Sequence, residues 1–178
     1  MNIKLWNTLL LGSALALTGF AAEKNENAEK ISRADSKFLK EASEANQSEI
    51  KLGELAKERA SSEEVKDFAE HMINDHRESQ EQVTRLAEEK NVELPKKDME
   101  DHTYRKLSKL SGAKFDDAYM DAMVKDHKKD VSEFEKACKK VQDQDVQSFA
   151  NKTLPKLEEH LQKAKKLEER ADKRENKA

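Results

Sequence analysis

Four stretches of the chain repeat apolar residues at helical spacing, with polar and charged residues filling the positions between. Phe38, Ala42, Ala45, Leu52 and Ala56 make the first stripe, which predicts a helix over 36–59 with Asp35 or Ser36 as its cap. Ser61 followed by Glu64 fits a capping box, in which the serine oxygen takes a free backbone N–H and the glutamate reaches back. The second helix then covers 62–89, with Val65, Phe68, Ala69, Met72, Val83 and Leu86 on one side, and Asn91 and Pro95 end it. A third stripe of Tyr119, Met120, Met123, Val131 and Phe134 predicts a helix over 114–140. The fourth, over 144–171, carries Val146, Ala150, Leu154, Leu157, Leu161 and Ala164.

The connections set the topology. Short turns near 60 and 142 make two antiparallel hairpins, whereas 90–113 is long enough to run the length of a bundle and holds a short helix within Met99 to Leu110. Two hairpins joined by one long crossover form an all-α, ferritin-like four-helix bundle over 35–171. Residues 22–34 read as a flexible lead-in and 172–178 as a disordered tail, since neither has apolar periodicity. Gly53, inside the first helix, points to close approach by a neighbouring helix. Pro155, inside the fourth, removes an amide donor and predicts a kink one turn before His160.

Composition supports the fold class and removes several functions. Charged residues make up 40% of the chain and aromatics 5%, with 4 Gly and 2 Pro, which suits solvated helices and starves a sheet. Lys and Arg total 34 against 37 Asp and Glu, so no basic surface for nucleic acid is implied. Lys4 followed by the apolar run Leu5 to Phe20, with small Gly19 and Ala21, predicts a signal peptide over 1–21. An uncleaved anchor is the competing reading, although the run falls short of the ~20 residues that span a bilayer. The expected location is therefore the periplasm or cell envelope, with no transmembrane segment after cleavage, an unidentified envelope partner, and a homodimer allowed. Cys138 is the single cysteine, so no intramolecular disulfide can form.

Each predicted helix has polar residues on its apolar face. Rotation by about 100° per residue turns Glu49, His76, His127, Asp130 and His160 inward. Asp75 falls at the edge of its stripe, Asp126 on a flank, and His71 outward. The five inward groups sit at comparable distances from the two hairpin turns. Imidazole nitrogen and carboxylate oxygen suit Zn, Fe, Mn or Cu, so these five residues are candidate metal ligands. The alternative is a metal-free network in which Glu49 and Asp130 accept from the imidazole N–H groups and the cluster only fixes bundle register. No nucleophile and base pair is evident around Cys138, and an enzymatic role would need an open coordination position and a substrate path as well, so the reading leans away from an enzyme.

The stretch Lys109-Leu110-Ser111-Gly112-Ala113-Lys114-Phe115-Asp116-Asp117-Ala118-Tyr119, followed by Met123-Val124-Lys125-Asp126-His127, resembles a bacterial family of unknown function. Its members carry a ferritin-like bundle and are commonly labelled predicted outer membrane proteins. Glu49-Ile50-Lys51-Leu52-Gly53, Phe68-Ala69, Asp75-His76, Thr153-Leu154-Pro155 and Glu159-His160-Leu161 extend the resemblance over the expected mature chain. It implies the fold and an exported location, but no settled activity. Iron-storage ferritins carry Glu-x-x-His motifs, whereas Ile73 precedes His76 and Leu157 precedes His160 at that spacing, which argues against ferroxidase chemistry. Two functions stay open: an exported protein holding one transition metal at mid-bundle, and a structural or stress-related envelope protein with a metal-free cluster.

Overall fold

A computed structural model describes residues 31–96 and 101–175. The expected signal peptide, most of the lead-in and the last residues of the tail lie outside them. Five helices form the all-α, ferritin-like fold: α1 (Arg33–Arg59), α2 (Glu63–Glu89), α3 (His102–Leu107), α4 (Ala113–Lys140) and α5 (Gln144–Glu175). Among the described residues no helix is long and apolar enough to cross a membrane.

Helices α1 and α2 pair as one hairpin and α4 and α5 as the other, with α2 against α5 and α1 against α4. The Gly112 N–H donates to the Arg59 carbonyl at 3.1 Å, which sets the start of α4 at the end of α1. Helices α2 and α4 thus run the same way, and every neighbouring pair around the bundle is antiparallel. Gly112 has φ +64°, a conformation that glycine adopts without a Cβ penalty.

Each hairpin turn is clamped by an aspartate of the other hairpin. Asp35, in the first turn of α1, accepts from the Gln142 N–H at 3.3 Å and the Asp143 N–H at 3.0 Å. Asp116, in the first turn of α4, accepts from the Ser61 N–H at 3.0 Å, the Ser61 hydroxyl at 2.6 Å and the Ser62 N–H at 2.9 Å. The clamps correct two expectations. Ser32, not Asp35 or Ser36, caps α1, accepting from the Asp35 N–H at 3.1 Å, so the helix begins at Arg33. The Ser61–Glu64 capping box gives way because an ionised carboxylate is the stronger acceptor for these donors.

The clamps belong to an internal repeat. A spacing of 81 residues separates Asp35 from Asp116, Val65 from Val146, Phe68 from Phe149 and Ala69 from Ala150.

The core is divided. Leu52, Leu55, Ala56, Phe68, Met72, Phe115, Tyr119 and Met120 fill the end at the α1–α2 turn. Phe38, Leu39, Val83, Phe134, Val146, Phe149 and Leu157 fill the other. Between them lies a buried polar waist containing Ser43, Asn46, Glu49, His76, Ser79, His127, Asp130, Thr153 and His160.

Local details match or modify the sequence reading. A Cβ on Gly53 would stand 2.8 Å from Ile73 Cγ1 and 3.2 Å from the Ala69 carbonyl oxygen, so α1 and α2 are closely opposed there. Helix α3 is shorter than the 99–110 span; Asp101 caps it, and buried Leu107 seats it on the core. Helix α5 continues through Pro155 and on to Glu175, past the expected end at 171. Ala171, Lys173, Arg174 and Glu175 are strong helix formers, and intrinsic propensity extends the helix without an apolar stripe.

Candidate metal centre

His76 on α2, His127 on α4 and His160 on α5 meet in the waist. Each is at most 3% exposed, and their ring centroids are 5.4 to 5.8 Å apart. One ligating nitrogen from each ring lies within 4.8 Å of the other two.

The second nitrogen of each ring is taken by a partner that fixes its role. His127 Nδ1 lies 2.9 Å from the Met123 carbonyl oxygen, an acceptor only, so Nδ1 carries the proton. His160 Nε2 lies 2.8 Å from Asp75 Oδ2 and donates to that carboxylate. The Asn46 amide nitrogen donates to Ser79 Oγ at 3.0 Å, which turns its oxygen toward His76 Nδ1 at 2.9 Å. His76 Nε2, His127 Nε2 and His160 Nδ1 remain, all buried and without a hydrogen-bond partner.

Electrostatics keep the rings neutral. Burial, then the neighbouring His127 and His160, push the His76 pKa well below the usual imidazole range. Burial, with a smaller contribution from His160, brings His127 to about 4 against the weaker opposing pull of the Met123 carbonyl. Burial lowers His160 as well, although Asp75 opposes it. Burial alone would raise the Asp75 carboxyl, but the hydrogen bond from His160 and the nearby Lys156 ammonium help bring it below its ordinary value.

A neutral ring with one N–H committed outward presents a bare lone pair from its other nitrogen. Each of the three rings offers one such lone pair, and the rings bring ligand nitrogens within 4.8 Å of one another. This is a donor set for a cation: three imidazole nitrogens, each ring oriented by an amide, a backbone carbonyl or a carboxylate. Bonds of about 2.1 Å would set the nitrogens about 3.4 Å apart, a spacing inside the 4.8 Å limit that the three meet.

The structure brings together three of the five predicted ligands. Glu49 and Asp130 are also buried, at 2% and 5% exposure, yet neither belongs to the three-ligand groups. Glu49 lies one turn beyond Asn46 toward the α1–α2 end, where its charge, after burial, helps raise the Tyr119 pKa. Asp130 lies one turn beyond His127 toward the opposite end, because α1 and α4 are antiparallel. The three rings hydrogen-bond to Asn46, the Met123 carbonyl and Asp75.

Asn46, Asp75 and His71 are the contributors that sequence reasoning passed over. His71, Asp75 and His160 form a second group with ligand atoms within 4.8 Å, on the solvent side of the first. Asn46 had a usable signal: it sits on the stripe between Ala42 and Gly53, where an amide needs partners. A cleft of about 150 Å³ between α2 and α5, with Ser79 and Thr153 in its wall, reaches His76 and His160.

Comparisons with known proteins agree with the architecture. Residues 20–167 match the family described as Domain of unknown function (DUF4142). The fold is similar to that of a DUF305 fragment from Deinococcus radiodurans, with a TM-score of 0.71 at 12% identity, covering 80% of this chain and 99% of that one. No curated protein matches the sequence.

Proposed function

The chain belongs to the DUF4142 family of unknown function, and on that premise we propose that it is an exported protein that binds one transition-metal ion at mid-bundle. His76 Nε2, His127 Nε2 and His160 Nδ1 hold the ion, with Asn46, the Met123 carbonyl and Asp75 orienting the rings. The observation that carries this reading is the convergence of three buried, unpartnered ring nitrogens whose opposite nitrogens are all committed. A structural network would pair such atoms with donors, because an unsatisfied buried polar group costs about 1–3 kcal/mol.

Imidazole donors suit Zn, Cu and Fe better than Mg or Ca, whose ligands are oxygens. The ion would supply a charge that the waist is shaped to receive, serving buffering, sensing or redox protection in the envelope. The exported location is supported by the Lys4 and Leu5–Phe20 leader pattern.

Elemental analysis of protein purified without an affinity tag tests the proposal. The expected result is one transition-metal ion per chain, lost in His127→Ala. Equal metal content in wild type and His127→Ala, or no uptake of Zn, Co or Cu by the wild-type protein, would overturn it.

A further inference from the structure

The buried centre has a solvent-side neighbour that shares one of its ligands. His71 Nε2 lies 3.4 Å from Asp75 Oδ2, and the same oxygen lies 2.8 Å from His160 Nε2. The His71 and His160 rings have centroids 5.4 Å apart, as close as any pair within the inner triad. His71 is 40% exposed and Asp75 19% in their side chains, so this outer group meets solvent where the inner one does not. His160 is thus two-faced: Nδ1 looks into the waist and Nε2 toward the surface.

Two ammonium groups occupy the outer group. Lys163 Nζ donates to His71 Nε2 at 3.1 Å and pairs with Glu159 at 2.6 Å. Lys156 Nζ bridges Asp75 Oδ1 at 3.3 Å and Glu78 Oε2 at 2.8 Å. Both lysine side chains are more than 40% exposed, so each can swing into water and leave its acceptors free.

We propose that His71, Asp75 and His160 form a second, outer site for a divalent first-row ion, and that it loads the buried centre through the α2–α5 seam. The inference rests on the metal reading of the inner triad. An ion needs a partly hydrated landing point before it enters a site whose ligands are at most 3% exposed. One carboxylate and two imidazoles at the protein surface supply it, and the cleft that reaches His76 and His160 adjoins it. While the ion is outside, it takes the Nε2 lone pair of His160, and the ring's single proton rests on Nδ1. On transfer, the metal–Nε2 bond breaks, a metal–Nδ1 bond forms, and the proton passes from Nδ1 to Nε2 through cleft water. The ring is neutral before and after, and the restored N–H donates to Asp75. The lysines act as displaceable plugs: their charge repels an incoming cation until they leave.

Stopped-flow mixing of Co(II) with the metal-free, tag-free protein tests this, following the visible absorption of the ion in the nitrogen-ligated inner site. His71→Ala is expected to slow the appearance of that absorption by about tenfold or more, since local capture by charged clefts raises on-rates by 10–10³. Its final amplitude and equilibrium affinity should stay at wild-type values. Lys163→Gln should speed loading. Wild-type rates in both variants would overturn the outer site while leaving the inner one intact. Loss of the final Co(II) spectrum in His71→Ala would also overturn it, by making His71 a ligand of the centre. A wild-type protein that never develops the spectrum would overturn the inner-site reading and the loading role together.

Discussion

The turn clamps and the waist handle buried polar atoms in opposite ways. At the ends, Asp35 and Asp116 meet N–H and O–H donors of the opposing turn, so each buried carboxylate is fully engaged. At the waist, three imidazoles each commit one nitrogen and leave the other bare. The Tyr119 hydroxyl, in the α1–α2 end, is also buried without a partner, so what marks the waist is that three such nitrogens come from rings that sit together. On the proposed metal reading, that difference separates a structural polar group from one reserved for a ligand.

The largest effect expected to expose this contrast comes from pH. The folded-state pKa of His127, about 4, lies below the ordinary value of 6.5, so the unfolded chain takes up its proton first. Metal-free protein should hold its stability above pH 6.5 and lose it as pH falls toward about 4, by roughly 3 kcal/mol from His127 alone. Urea unfolding across that range, in wild type and His127→Leu, measures it. A slope that persists undiminished in the variant would assign the loss to groups outside the waist.

Asp116→Ala should cost roughly 3 kcal/mol, because it strands two backbone N–H groups and a hydroxyl at the α1–α2 turn. The loss should be the same in chelator and in metal. His127→Leu should behave oppositely. Wild type at 100 times Kd gains about 2.7 kcal/mol, a Tm rise of roughly 5–10 °C, and the variant should gain none. In chelator the variant should be as stable as wild type or more so, since a leucine fills the site without a bare lone pair. A thermal scan in both buffers distinguishes the two classes of residue.

Asn46→Ala removes the partner of His76 without touching a ligand and should weaken metal binding by roughly 10–100-fold. Competition with a chromophoric chelator reads this directly. The smallest effect belongs to Gly53→Ala, where crowding against Ile73 and the Ala69 carbonyl outweighs the better helix propensity of alanine. A net loss of about 1 kcal/mol, equal with and without metal, is expected.

Helical periodicity exposed the fold and the three histidines that meet in the waist. His76, His127 and His160 were legible because each interrupts a stripe whose remaining members are apolar, and an angle of about 100° per residue fixes inward direction well. It does not fix height. Glu49 and Asp130 stand three residues past Asn46 and His127, about 4.5 Å along helices of opposite direction, and so diverge from the level of the three rings. The capping box over Ser61 and Glu64 failed for a related reason: a local motif cannot announce that Asp116 arrives from 52 residues beyond Glu64. Asn46 and Asp75 were harder still, since ring orientation depends on partners that periodicity treats as neutral or marginal.

The 81-residue repeat relates Asn46 to His127, His76 to Leu157 and Ser79 to His160. Every histidine of the triad therefore faces a different amino acid at its counterpart position, although the clamping aspartates match. Two identical copies of the first hairpin, assembled as a symmetric pair, would keep both clamps and hold two copies of His76 with no His127 or His160. In a molecule with two similar halves, the place where they no longer resemble each other is where three nitrogens gather.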